Sequence, residues 1–170
     1  MLVEVVPYNP SWPTQFEAEA QALRTLLGGG IENIHHIGST SVPGLAAKPI
    51  IDIILEVNEI STLDAMKMKF ENLGYEVMGE YGIPRRRYFR KGGARRTHHI
   101  HAFASGDNHV ARHLAFRDYL RAHPTVAKEY AEVKQLAAER SNNDIEDYCD
   151  AKDPFVKEHE AKALQWYESQ

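Results

Sequence analysis

The sequence predicts a mixed α/β domain whose sheet lies in the first part of the chain and whose C-terminal part is helical. Three observations carry this reading. Apolar runs of strand length at residues 31–38 and 50–57 alternate with stretches of helical spacing. Residues 87–91 and 95–104 flank Gly92-Gly93 in a β-hairpin pattern. From Asn108 onward apolar side chains recur at helical spacing, with no repeat, low-complexity tract or linker to divide the chain. The 170 residues therefore read as one domain, a sheet-containing core over 1–107 with helices of 108–170 packed on it.

The elements follow in order. Residues 3–6 are an apolar run cut off by Pro7, Pro10 and Pro13, a first strand or extended arm. Ser11 fits a helix N-cap with Pro13 in the first turn. Phe16, Ala20, Leu23 and Leu27, widened by Leu26, give that helix one apolar face, and Gly28-Gly29-Gly30 stops it. Between strands 31–38 and 50–57 lies a loop of small residues with Pro43 and Pro49. Residues 60–73 form a helix ended by Gly74, and 75–78 a short strand. Helices follow over 108–123 (Val110, Leu114, Tyr119) and 124–140 (Val126, Tyr130, Val133, Leu136). The last helical stretches are 144–149 and 154–167, the second opening on Asp153 as N-cap and Pro154 at its first position.

Composition excludes several classes. With 43% hydrophobic and 26% charged residues the chain is neither disordered, collagen-like nor a disulfide scaffold. No apolar run approaches the ~20 residues of a membrane span, and residues 1–10 lack the pattern of a secretory leader. A single cysteine, Cys149, forms no intrachain disulfide, so a reducing cytoplasm is the expected location. Net charge is −4, but ten Lys/Arg stand against Asp107 and Asp118 between Arg85 and His123, leaving −12 for the rest. Such a concentrated zone favours a discrete anionic ligand over a nucleic-acid surface, unless the arginines pair with the flanking acids. No aromatic-basic interleaving of the RNA-recognition kind is present, so nucleic acid is not the expected partner.

Two constellations carry chemistry. In His36-Ile37-Gly38-Ser39-Thr40-Ser41 a strand ends at a Gly-Ser corner, where a missing Cβ lets the backbone approach a ligand. Hydroxyls and amides of Gly38, Ser39, Thr40 and Ser41 then meet phosphate oxygens, and Lys48 adds charge. Asp52 stands alone in Ile50-Ile51-Asp52-Ile53-Ile54-Leu55, and a carboxylate in so apolar a strand needs a partner, a cation or a metal ion. In Thr97-His98-His99-Ile100-His101, strand alternation puts His99 and His101 on one face and Ile100 and Ala102 on the other. That places both histidines within reach of one ligand or metal ion. Hydrogen-bonded structural histidines are the competing reading. Arg87 and Arg96, on or beside the hairpin, suit phosphate oxygens. Lys134 and Lys152 share helix faces with Tyr130 and Tyr148 and add cations to the same ligand.

A strand, a Gly-Ser corner and an apolar strand with an embedded Asp resemble the pattern of DNA polymerase beta-type nucleotidyltransferases. More closely, the chain resembles the GrpB family. The match runs through Val5-Val6-Pro7-Tyr8-Asn9-Pro10-Ser11-Trp12-Pro13, the stretch from Ile37 to Ile53, His99-Ile100-His101, Phe116-Arg117-Asp118-Tyr119-Leu120, Tyr130-Ala131 with Lys134, and Tyr148 with Lys152 and Phe155. The resemblance implies a nucleotidyltransferase-like mixed sheet flanked by helices. Similar domains joined to dephospho-CoA kinase hint at nucleotide or coenzyme A-related metabolism. Active nucleotidyltransferases present two acids one residue apart on the strand after the corner and a third on a later strand. Here Asp52 fills the first place, Ile54 the second, and histidines the third.

The resulting expectation is a protein that binds a nucleotide or other phosphorylated small molecule and, as an enzyme, transfers a nucleotidyl group to an unnamed acceptor. Asp52, His99 and His101 are its metal-binding or proton-transfer residues, with Mg²⁺, Mn²⁺ or Zn²⁺ as the metal. The altered acid set suits Mn²⁺ or Zn²⁺, or no metal, better than a Mg²⁺ pair. The alternative is a non-catalytic phosphoryl-ligand module that kept the corner and lost turnover with the second and third acids.

Overall fold

The computed structural model describes residues 4–141 and 144–170. Helix α1 (Trp12–Leu27) leads into strand β1 (Ile31–Ile37), a 3₁₀ turn (Ser39–Ser41) and β2 (Ile51–Val57). A 3₁₀ segment (Ile60–Met66) runs into α2 (Lys67–Asn72), followed by β3 (Tyr75–Val77), β4 (Arg87–Lys91) and β5 (His98–Ala104). Helices α3 (Asn108–Ala122), α4 (Pro124–Arg140) and α5 (Ile145–Glu168) complete the chain. The five strands form one mixed sheet in the order β1-β2-β5-β4-β3, in which β2 and β5 are parallel and the other pairs antiparallel.

The two faces of this sheet have different work. Ile51, Ile53, Leu55 and Val57 of β2 join Ile100 and Ala102 of β5, Phe89 of β4 and the α1 stripe Trp12, Phe16, Ala20, Leu23 and Leu27 in the main core. The opposite side chains of β2, Asp52 and Ile54, face α3, α4 and α5. There Ile54 packs with Ile37, Phe103 and Val110. A central strand covered on both faces is apolar almost throughout, which is why β2 reads as a nearly unbroken Ile/Leu run and why Asp52 stands out in it.

Several expectations change in detail. The 3–6 arm makes a single bridge, Val6 to Ala47, and Val3 lies outside the described residues. Ser11 precedes α1 without capping it through its side chain; Asn9 Oδ1 instead accepts from Ser11 N at 2.9 Å and Ser11 Oγ at 2.8 Å. The 60–73 helix is 3₁₀ until Met66 and α-helical only from Lys67. The stretches 144–149 and 154–167 are one helix, capped by Asp144, whose side chain accepts from Glu146 N and Asp147 N. Pro154 lies inside it. Its missing N–H strands the carbonyl of Asp150, but Asp150 and Pro154 are both exposed, so water can meet that carbonyl and the helix continues.

The basic segment is mostly paired. Arg85 meets Asp107, Arg87 Asp64, Arg90 Glu76, Lys91 Glu19, Arg112 Glu160, and both Arg117 and Arg121 meet Asp118. Among the described residues, Arg86, Arg95 and Arg96 have no ion-pair partner.

Candidate functional site

The site begins where β1 ends. Gly38 adopts φ +71°, and a Cβ there would sit 2.8 Å from Asp52 Oδ2, so both the turn and the neighbouring carboxylate require glycine. Ser41 Oγ donates back to the Gly38 carbonyl. Thr40 Oγ1 donates to the Ile50 carbonyl at 3.3 Å and meets His36 Nε2 at 2.9 Å. One hydroxyl proton serves one acceptor, so His36 Nε2 is the donor to Thr40. His36 is buried and stacked on Phe16 at 4.9 Å. Burial, with Arg121 and Arg117 nearby and against the attraction of Asp52, pushes its pKa down to about 4. From α3, Arg117 donates to the His36 carbonyl and Arg121 to the Ser41 carbonyl, at 3.2 Å and at 2.8 and 3.0 Å. The corner is thus braced from both sides. The Thr40 and Ser41 hydroxyls serve that bracing, and Ser41 does not line the cavity, while Gly38, Ser39 and Thr40 do.

Asp52 pairs in register with His99, and Ile54 with His101. As alternation predicts, both imidazoles share the Asp52 face. Their centroids are 6.4 Å apart, with His99 Nδ1 at 3.4 Å and His101 Nε2 at 3.5 Å from Asp52 Oδ1. Burial would raise the carboxyl pKa, but the hydrogen bonds from His101 and His99 outweigh it and hold Asp52 well below the usual range. Tyr88 lies against both rings, and His113 of α3 stacks on His101 at 6.0 Å. Burial, with His101 and Arg112 close by, pushes His113 down to about 3.

On the other side of Ser39, α4 and α5 bring in two lysine–tyrosine pairs. Lys134 Nζ lies 4.6 Å from the Tyr130 ring, and Lys152 Nζ 4.8 Å from that of Tyr148, which Lys48 Nζ also approaches at 5.3 Å. Lys134 donates to the Ala46 carbonyl. Burial first, then Lys152 and Lys48, pushes the Lys134 pKa down to about 6, and burial also lowers Lys48 and Lys152. None of the three lysines has a carboxylate within ion-pair distance among the described residues. Tyr148 is fully buried, and its hydroxyl has no hydrogen-bond partner there. These groups, with Asp52 and His99, line a cavity of about 110 Å³.

Of the residues singled out in the sequence, Gly38, Ser39, Thr40, Lys48, Asp52, His99, Lys134 and Lys152 meet around this cavity, with His101 behind Asp52. Arg87 is not brought there. It pairs with Ala102, so it points to the opposite sheet face, where its Nε meets Asp64 Oδ1 at 2.7 Å. Arg96 lines a neighbouring hollow of about 670 Å³ that shares Lys48 and Ile50 with the cavity. Tyr88 and His113 were not legible as site residues, and Arg86 stands out in the sequence only as one of the hairpin arginines Arg85, Arg86, Arg87, Arg90, Arg95 and Arg96 that suit a polyphosphate. The hairpin pattern points toward Tyr88 but does not fix its register, and His113 carries no motif.

The metal pair of active nucleotidyltransferases does not fit this donor set. One carboxylate and two imidazoles, with ligand atoms within 4.8 Å of one another, offer too few hard oxygens for two Mg²⁺ ions. Ile54, which the resemblance puts where active nucleotidyltransferases carry a second acid, is enclosed among Ile37, Phe103 and Val110.

The mixed sheet with its flanking helices has a nucleotidyltransferase-like fold. A structure of the Cid1 poly(U) polymerase bound to MgATP shares the fold, with a TM-score of 0.51 and 14% identity over 76% of this chain and 45% of that one. The chain belongs to the GrpB family, whose model, described as GrpB protein, matches residues 2–162. The crystal structure of conserved protein GrpB from Enterococcus faecalis is 47% identical with a TM-score of 0.93, covering 96% of this chain and 99% of that one. The UPF0157 protein YqkA of Bacillus subtilis (strain 168) is 46% identical over 164 residues, 96% of this chain but 48% of YqkA, so the chain spans about half that relative. A dephospho-CoA kinase of Mycolicibacterium paratuberculosis is 29% identical over 192 residues, 98% of this chain and 47% of that protein. No helix among the described residues is long and apolar enough to cross a membrane.

Proposed function

We propose that this protein binds a nucleotide or another phosphorylated small molecule, with its phosphate groups between the Gly38–Ser39 corner and Lys48, Lys134 and Lys152. One observation carries the reading: three largely enclosed lysines, none with an ion-pair partner among the described residues, converge on one small cavity in which Asp52 is the single carboxylate lining it. Enclosing like charges is costly unless a counter-charge arrives, and the Tyr148 hydroxyl, without a hydrogen-bond partner among the described residues, offers that ligand a hydrogen bond. A cavity of about 110 Å³ suits phosphate-sized groups, whereas pockets that enclose whole small molecules run from about 300 to 1,000 Å³. The remainder of the ligand has the adjoining hollow, past Lys48 toward Arg96. Likeness to a dephospho-CoA kinase adds dephospho-CoA to the nucleotides worth testing.

Turnover in this reading is nucleotidyl transfer to an acceptor, with Asp52 and its histidines handling the proton of the attacking group. The second reading, a binding module without turnover, is favoured by Ile54, whose place in the apolar cluster leaves no second carboxylate.

The test is calorimetric titration of ATP, CTP, GTP, UTP and dephospho-CoA, with and without Mg²⁺, Mn²⁺ or Zn²⁺, into wild type, Asp52→Ala and Lys134→Met. Saturable binding of at least one ligand, lost in Lys134→Met, is the expected result; no binding of any would overturn the reading. Retained binding in Asp52→Ala with no product formed by the wild type selects the module over the enzyme.

A further inference from the structure

Arg86 is the only buried arginine among the described residues, 7% exposed, and it has no carboxylate partner there. Backbone carbonyls hold its guanidinium: Nε donates to Glu80 O at 3.2 Å and Nη2 to Tyr81 O at 3.0 Å. The group lies 4.8 Å from the Tyr88 ring centroid. That leaves Nη1 directed at His101 Nδ1, 3.4 Å away. Guanidinium nitrogens only donate, so Nδ1 must offer its lone pair. A neutral imidazole then carries its proton on Nε2, the nitrogen that faces Asp52 Oδ1 at 3.5 Å. Donor direction runs one way, from Arg86 to His101 to Asp52.

We infer that Arg86 fixes the proton of His101 on Nε2, making His101 and Asp52 a proton-carrying pair instead of two ligands of a metal ion. A metal ion on Nε2 needs the lone pair there and moves the ring proton to Nδ1. That N–H would then point at a guanidinium N–H, donor against donor. Ligating histidines ordinarily turn their second N–H toward a carboxylate, carbonyl or water, and here the second partner has the opposite polarity. His99 does not make up the set. Its Nδ1 addresses the same Asp52 oxygen at 3.4 Å, and its Nε2 is enclosed with no acceptor among the described residues. Arg86 is therefore a positioning residue, acting on Asp52 through His101. The inference concerns the ligand-free protein and does not depend on which anion the cavity takes.

The test reads the tautomer directly. Side-chain ¹H–¹⁵N correlation spectra of labelled protein at neutral pH separate Nε2–H from Nδ1–H rings, and His101→Gln assigns the signal. The expected result is Nε2–H for His101 in the wild type and in Arg86→Lys, which keeps a donor. In Arg86→Gln, whose amide oxygen can accept from Nδ1, the Nδ1–H form should appear. Zn²⁺ titrated against the same signals should bind His101 about tenfold more tightly in Arg86→Gln than in the wild type. An Nδ1–H ring in the wild type, or equal Zn²⁺ binding through His101 in both proteins, overturns the inference. If Arg86→Gln does not fold, the wild-type tautomer alone decides. Nucleotide binding is not read at any step, so failure here and failure of the phosphate-site proposal are separable.

Discussion

Gly38 and Asp52 are packed so closely that a single methyl group on residue 38 would lie 2.8 Å from Asp52 Oδ2. The corner that ends β1 and the carboxylate of β2 are therefore one unit. Any side chain at residue 38 must strain the backbone at φ +71° and displace the carboxylate together.

Gly38→Ala follows directly. The backbone at residue 38, φ 71° and ψ −174°, lies in a region essentially confined to glycine and costs an alanine about 1–3 kcal/mol, and the clash adds to it. At about 2–4 °C per kcal/mol for a chain of this size, the melting temperature should fall by about 2–12 °C. On the phosphate-site proposal, a nucleotide that binds the wild type should bind this variant more weakly in a calorimetric titration. An unchanged melting temperature would mean that Asp52 swings aside freely.

Lys134 makes stability depend on pH in a stated direction. Its folded pKa of about 6 lies below the ordinary lysine value. Between about 6 and that value the unfolded chain holds more protons, so the ligand-free protein gains stability as pH rises through this window. Urea midpoints at pH 6 and pH 8.5 should rise more for the wild type than for Lys134→Met. A bound anion raises the lysine pKa again, so ligand binding at pH 7.5 should take up protons. Calorimetry in buffers of different ionisation enthalpy measures that uptake.

His36 is a second titrating brace. The folded group, held at about 4 by burial, stays neutral while the unfolded chain gains a proton near 6.5. Stability from this group is lost as pH falls from about 6.5 toward 4. Side-chain spectra of the folded protein should show His36 titrating near 4, and His36→Gln should flatten the stability slope between pH 6 and 4. A midpoint near 6.5 would contradict the enclosed contact with Phe16 and Thr40.

Pro154 weakens the helix that carries Tyr148 and Lys152. Restoring an N–H with Pro154→Ala should stabilise the protein by about 1–2 kcal/mol, an interior proline costing about 3 and the looser unfolded chain returning part of that. The urea midpoint should rise, and a fall would show that the proline ring makes a contact the helix needs.

Local order was legible because it is local. The apolar stripe of α1, the two-sided run of β2 and the alternation of His99 and His101 each follow from a period along the chain. So did the two clusters, the Gly-Ser corner with Asp52 and the paired histidines. The hairpin shows where this stops. Strands ending at Lys91 and resuming at Arg95 would pair those two residues, but Lys91 pairs with His98, three residues further on. An odd shift exchanges the faces. It sends Arg87 away to Asp64 and turns Tyr88 toward His101. The 92–97 connection sets that register through Gly92, at φ +106°, where a Cβ would meet the Arg95 carbonyl.

Burial and periodicity are written along the chain, so most element types and the residues that carry charge into an apolar setting could be read there, whereas the mixed sheet followed from the family resemblance. Tertiary structure alone decided which of those charges remain free. Half of the basic segment is spent on Asp and Glu side chains from other elements, while Lys48, Lys134 and Lys152 come together around Asp52 with no ion-pair partner among the described residues. Such pairing depends on distances between elements that no local pattern encodes. The same is true of Arg86, whose effect on His101 rests on one donor aimed across the hairpin at one ring nitrogen.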